Sequence, residues 1–156
     1  MLNPQSPTTP LRVVFNCSAK SSSGLSLNDL LYAGPNVQSE LIDIMLRFRL
    51  FNVCFTADIE KMYRMVRVHD ADTKFQRILW RENPHDPIKI FTLQTVTYGM
   101  APSAFLSTRC LNKLAEEINE NDPEVASAIK QGFYVDDLLF GSDCAEKAAS
   151  RCRRLP

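Results

Sequence analysis

The run Phe133-Tyr134-Val135-Asp136-Asp137-Leu138-Leu139-Phe140 sets two adjacent carboxylates in the middle of an otherwise apolar stretch. An ionised Asp is costly in apolar surroundings unless it is paired or meets a cation. Residues 132–135 and 138–142 are therefore read as a β-hairpin with Asp136-Asp137 at its tip. Two readings of the pair stand at this point. Asp is common in turns, and the pair is then ordinary turn chemistry. Alternatively, carboxylates held together on a rigid turn are what a hard, oxygen-seeking divalent cation such as Mg²⁺ selects.

A second acidic island lies upstream. In Val53-Cys54-Phe55-Thr56-Ala57-Asp58-Ile59 a single carboxylate again closes a mostly apolar, β-prone run. If the two strands are neighbours in one sheet, Asp58 faces the Asp136-Asp137 turn. The three carboxylates can then share two metal ions, the arrangement used for in-line phosphoryl or nucleotidyl transfer. Spacing alone does not establish that adjacency.

Tyr134-Val135-Asp136-Asp137 resembles the Tyr-x-Asp-Asp box of reverse transcriptases. Asp58-Ile59-Glu60-Lys61-Met62-Tyr63 resembles the motif that precedes it in the same palm, an Asp followed five residues later by an aromatic. Around them lie Arg12-Val13-Val14-Phe15-Asn16-Cys17-Ser18-Ala19-Lys20, Leu27-Asn28-Asp29-Leu30-Leu31, Gly34-Pro35, Leu46-Arg47-Phe48-Arg49, Leu79-Trp80-Arg81 and Tyr98-Gly99-Met100-Ala101-Pro102. In that order they are similar to the polymerase region of BEL/Pao-type long-terminal-repeat retrotransposons, over most of the chain from Arg12 to Ser142.

The resemblance implies an α+β fold: a reverse-transcriptase-like palm with an antiparallel sheet and packed helices, partial fingers and no thumb. It implies an RNA-directed DNA polymerase that adds deoxynucleotides to a primer 3′-hydroxyl. Asp58, Asp136 and Asp137 would be the catalytic carboxylates holding two Mg²⁺ ions, with Mn²⁺ as an alternative and the Ile59 carbonyl as a further metal ligand. Tyr134 and Val135 complete the hairpin motif. Tyr63 would be the steric gate against a 2′-hydroxyl. Arg12 would contact the triphosphate, and Gly99 would let backbone approach the nucleotide. The implied partners are an RNA or DNA template with its primer, deoxynucleoside triphosphates and the rest of a retrotransposon polyprotein. Taken singly, Tyr63 is a half-buried aromatic, Arg12 a surface residue and Gly99 a loop glycine.

Two positions depart from the family pattern. Asn16 stands where Asp is frequent, keeping hydrogen-bonding capacity without charge. Tyr98-Gly99 replaces the Gln-Gly of many retroviral enzymes, so no Gln contact is assigned. Two other functions compete: a catalytically inactive relic that at most binds nucleic acid, and another two-metal enzyme such as a cyclase or nuclease. Tyr63 and Arg12 argue against the latter, because a steric gate and a triphosphate fork have little use in a nuclease.

A chain of 156 residues, 45% of them hydrophobic, suits one domain with an ample core. Residues 1–10 are Pro-rich and read as a flexible segment, and residues 11–156 as a partial reverse transcriptase domain. The chain is expected to be a fragment, with part of the fingers missing and no room for a thumb or RNase H domain. The 18 basic and 18 acidic residues give no net charge, which is weak support for nucleic-acid binding. Lys61, Arg64 and Arg67, and separately Arg151, Arg153 and Arg154, read equally as positive strips beside the acidic site or as solvated faces. Five scattered cysteines indicate neither a zinc nor a disulfide framework. With no signal-type segment and no long apolar stretch, an intracellular location is expected, cytoplasmic or particle-associated, with no membrane partner.

Periodicity predicts a helix over 38–50, a strand over 53–58, strands over 75–81 and 88–93, and a helix over 102–118 with Leu111, Leu114, Ala115 and Ile118 on one face. A break is predicted at Asn121-Asp122-Pro123, and a last helix capped by Asp143 with Glu146.

Overall fold

The computed structural model describes Leu11 and residues 13–155. Its elements in chain order are α1 (Leu41–Phe48), β1 (Val53–Asp58), α2 (Met62–Met65), β2 (Arg77–Trp80), β3 (Lys89–Thr92), α3 (Ser103–Ile118), α4 (Pro123–Gly132), β4 (Phe133–Tyr134), β5 (Asp137–Ser142) and α5 (Ala145–Arg154). Helices and small antiparallel sheets make this an α+β chain. No helix among the described residues is long and apolar enough to cross a membrane. The chain divides into two compact units: the described residues up to Gly34 with Tyr63–Ser103, and Pro35–Met62 with the described residues from Ala104 onward.

The second unit carries the three-stranded sheet, in the order β1-β5-β4, antiparallel throughout. Its core forms where the predicted stripe of α3 meets α4. Leu111, Leu114 and Ile118 close over buried Ala115, Val125, Ala126 and Ile129. Ala128, Leu138 and Phe140 join Phe51 and Phe55 beneath the sheet. Leu138 is 1% exposed, and burying such a side chain stabilises the fold by about 1.5–3 kcal/mol. The break at Asp122-Pro123 is a helix start: the Asp122 carboxylate accepts the Val125 N–H at 3.1 Å and Pro123 takes the first turn.

Three boundaries differ from expectation. The helix predicted over 38–50 is shorter, Leu41–Phe48, because Glu40 is extended and Gln38 is used elsewhere. The hairpin tip is Val135-Asp136 rather than Asp136-Asp137. Tyr134 and Asp137 already pair, so Asp137 opens strand β5, while Gly132 ends α4. Asp143 does not cap α5; Cys144 is the N-cap and no side chain bonds the first turn.

In the first unit β2 and β3 form an antiparallel ribbon, Arg77 opposite Thr92 and Trp80 opposite Lys89. Both strands are shorter than predicted, and β2 starts later because Thr73–Phe75 is a 3₁₀ turn. Asn28 ties the unit together. Its Nδ2 donates to the Gly99 carbonyl at 3.0 Å and the Ser18 hydroxyl at 2.9 Å, while its Oδ1 accepts the Ala101 N–H at 2.8 Å. Beside it, Asp29 and Ser26 each accept the other's backbone N–H, at 2.8 and 3.2 Å. Hydrogen bonding from the Ser26 backbone N–H, and then from its hydroxyl, holds the Asp29 carboxyl below the usual carboxylate range.

Candidate nucleotidyl-transfer site

The ladder of the second unit decides where the acidic motifs meet. β1 pairs with β5 so that Asp58 stands opposite Asp137, and β4 pairs with β5 so that Tyr134 also stands opposite Asp137. Residues on one rung project from the same face, which gives a row Asp58, Asp137, Tyr134. Beyond that rung the Ile59 N–H donates to the Asp136 carbonyl at 2.9 Å, tying the strand end to the turn. The two acidic islands are thus neighbours in one sheet, although Tyr63–Ser103 of the first unit and helices α3 and α4 lie between them in sequence.

The two-residue turn is strained. Val135 has φ +57°, a conformation sparsely allowed to any L-residue and unusual for a β-branched one. Positive φ at the first central residue alone is the pattern in which hairpins prefer glycine. Among the described residues the one other non-glycine with positive φ is Lys61, at +54°, three residues after Asp58. Both left-handed residues therefore fall inside the two acidic motifs, and such strain concentrates at functional sites. Gln38 supports the turn, its Oε1 accepting the Val135 N–H at 3.1 Å, while the Asn112 amide holds the Val37 carbonyl at 2.8 Å. Sequence reasoning missed Gln38 and Asn112.

The donor chemistry fits a hard divalent cation, since every candidate ligand is an oxygen. Asp58, Asp136 and Asp137 are exposed, and none takes part in an ion pair among the described residues. Among the described residues no three His, Cys, Asp or Glu side chains stand close enough together to hold a metal ion. The Ile59 carbonyl accepts the Met62 N–H at 3.2 Å and keeps its second lone pair.

Of the remaining assigned residues, Tyr63 and Gly99 belong to the first unit. Arg12 lies outside the described residues. Tyr63 is half-buried in α2. Gly99 has φ +92°, and a Cβ there would collide with the Phe15 carbonyl oxygen. Packing within the unit thus accounts for this glycine by itself. Tyr98 donates its hydroxyl proton to the Val13 carbonyl at 2.6 Å and its ring lies 5.3 Å from that of Phe15.

The basic clusters separate. Arg154 binds Asp122 and Glu124 at 2.6 and 2.7 Å, and Arg151 binds Glu124 at 3.2 Å and the Gly141 carbonyl at 2.9 Å. These two fasten α5 to α4 and β5, so the reading of a free positive strip there is corrected for Arg151 and Arg154. Lys61 pairs with Glu60 and Arg67 with Asp70, both at exposed positions where such pairs contribute little. All five cysteines are free, and burial pushes the Cys17 thiol up.

No family model matches the sequence, and no curated protein matches it.

Proposed function

We propose that this chain carries the palm and part of the fingers of a reverse transcriptase of the BEL/Pao retrotransposon type. The reaction is template-directed transfer of a deoxynucleotide to a primer 3′-hydroxyl. The observation that carries this reading is the rung on which Asp58 faces Asp137, with Asp136 in the strained turn beside it. The backbone register brings three carboxylates from distant motifs to one sheet end.

Asp58 and Asp136 would hold two Mg²⁺ ions, with Asp137 ligating or tuning one of them. When bound, the ions supply charge neutralisation for the triphosphate and a lowered pKa for the primer hydroxyl. The chain's own part is positional. The ladder fixes the spacing of Asp58 and Asp137, and Gln38 fixes the Val135 N–H and hence the turn that presents Asp136. Tyr63 is the residue assigned to reject a 2′-hydroxyl, and Arg12 the fork for the triphosphate.

The test is primer extension on an RNA template with Mg²⁺, by this chain and by the polyprotein that carries it. Asp136→Asn should abolish incorporation, because it removes charge from the ligand set with little change in size. Tyr63→Ala should raise ribonucleotide use relative to deoxynucleotide use. Near-normal extension by the Asp136 variant rejects the assignment.

A further inference from the structure

A cavity of about 260 Å³ lies within the first unit. Its walls are mostly apolar: Phe15 and Leu27 come from the early part of the unit, and Phe75, Ile78, Leu93 and Met100 from the part that holds the ribbon. Ile78 is the half-buried residue of β2, while Arg77 before it is exposed. Side chains alternate across a strand, so with Ile78 turned inward the Arg77 guanidinium projects from the other face. None of the remaining lining side chains carries a charge.

Gln76 gives the cavity its one oriented polar group. The residue is 8% exposed, and its Nε2 donates to two main-chain carbonyls, Thr95 at 3.2 Å and Leu93 at 3.4 Å. Only the nitrogen end of the amide can serve two carbonyls, which fixes which way round it lies. Its Oε1 is left over. This oxygen accepts no hydrogen bond among the described residues, yet it is not among their sealed, unpartnered polar atoms. In a residue that is nine-tenths buried and lines the cavity, an oxygen still within reach of solvent opens on the cavity.

A single acceptor among apolar walls selects its ligand. Small-molecule sites are mainly apolar, with a few fixed polar groups that set orientation. A flat ring covers the Phe, Leu and Met side chains, and one N–H on its edge donates to Oε1. A bare hydrocarbon would leave that oxygen desolvated without a partner, which is costly. A phosphate or carboxylate finds no cation on the walls to offset its own desolvation. The volume falls below the usual range of about 300–1,000 Å³ for drug-sized ligands, which limits the occupant to roughly one or two fused rings.

We propose that this cavity is a binding site for a small, flat, uncharged heteroaromatic molecule carrying an N–H donor. It lies wholly in the first unit, needs no metal ion, and does not depend on the polymerase reading.

Indole and benzofuran are the probes, since they share two fused rings and differ in an N–H against a ring oxygen. The full chain, labelled with nitrogen-15, is titrated with each in EDTA and followed by amide chemical shifts. Indole should move the amides of Cys17, Leu27 and Leu93 saturably. Benzofuran should bind roughly three- to tenfold more weakly, the difference one hydrogen bond makes. Ala19 is an exposed residue of the wall, so Ala19→Phe should fill the cavity and abolish the indole shifts while the amides of the second unit stay as in wild type. Gln76→Met keeps the bulk and removes the acceptor, and should bring the two probes to equal affinity. If that variant does not fold, the wild-type comparison of indole with benzofuran still decides. Binding should persist in an Asp58→Asn, Asp137→Asn double variant, so failure of the polymerase reading leaves this result standing. The site is overturned if millimolar indole leaves the lining amides unmoved, if benzofuran binds wild type as tightly as indole does, or if Ala19→Phe binds indole like wild type. It is equally overturned if the shifts centre on the exposed ring of Trp80 rather than on the cavity walls.

Discussion

Asp58 and Asp137 occupy one rung of an antiparallel ladder, with no cationic side chain paired to either among the described residues. Like charges directly opposite each other destabilise a ladder by a few tenths to about 1 kcal/mol. Asp137→Asn is therefore expected to raise stability slightly in EDTA. Added Mg²⁺ should reverse the order, because a cation bound only by the folded state stabilises it by mass action. Urea midpoints with and without Mg²⁺ check both halves, and an equal Mg²⁺ effect on the two proteins counts against a cation at this rung.

Val135 adopts a conformation that favours glycine, φ +57° at the first central position of a two-residue hairpin. Elsewhere in a strand or helix Ala is the more stabilising of the two small residues. Here the order should invert, with Val135→Gly more stable than Val135→Ala by about 1 kcal/mol, the cost of a Cβ in the left-handed region. Paired denaturation curves of the two variants measure it. A more stable Ala variant would mean that the turn relaxes out of the left-handed region.

Much of this arrangement was readable in the sequence, and the parts that were not share a physical cause. β1 was found at its full length because Val53, Phe55 and Thr56 favour a pleated strand and Asp58 ends the run. The stripe of Leu111, Leu114, Ala115 and Ile118 follows the helical period and does pack as core. The assignment of Asp137 to a strand was not readable, because it depends on left-handed backbone at Val135, which a β-branched residue gives no reason to expect. Gln38 carries no local signal either, since its partner Val135 lies 97 positions away. Arg151 and Arg154 looked like a free basic cluster because their acids sit on α4, and only the packing of α5 brings Asp122 and Glu124 to them. The ladder pairing itself is tertiary, and no spacing rule could supply it.

Asn28 makes three side-chain hydrogen bonds, two of them to the loop around Gly99. Asn28→Ala removes all three and leaves the Ala101 N–H without its acceptor. A loss of about 1–3 kcal/mol is expected. Hydrogen exchange gives a local check, because the Ala101 amide should lose protection while Leu138, in the other unit, keeps it.

Gly141 lies in β5 opposite Cys54, and a Cβ there would come 2.5 Å from the Val53 carbonyl oxygen and 2.7 Å from the Phe51 Cβ. The carbonyl belongs to the neighbouring strand and cannot swing aside as a flexible side chain would. Gly141→Ala should cost about 1–3 kcal/mol through overpacking. It should also disturb the Phe51 ring, which lies 5.1 Å from Phe140. Thermal unfolding with ring-proton chemical shifts of Phe51 would detect both effects. An unperturbed variant would show that β1 and β5 can separate at this rung.

Glu124 accepts hydrogen bonds from Arg151 and Arg154, and these, with the attraction of the two guanidinium charges, bring its carboxyl from 4.5 down to about 2. A folded-state pKa below the unfolded one stabilises the fold fully above about pH 4.5, and that stabilisation is lost as pH falls towards 2. Glu124→Gln removes the titrating group but leaves the 2.6 Å contact between Arg154 and Asp122 in place. Wild type should therefore exceed the variant in stability above that window, and the margin should close within it. The pairs are partly exposed, so the margin should also shrink in high salt. Denaturation midpoints of both proteins across the acid range decide the matter, since a margin that ignores pH would mean that Glu124 holds α5 to α4 by shape rather than by charge.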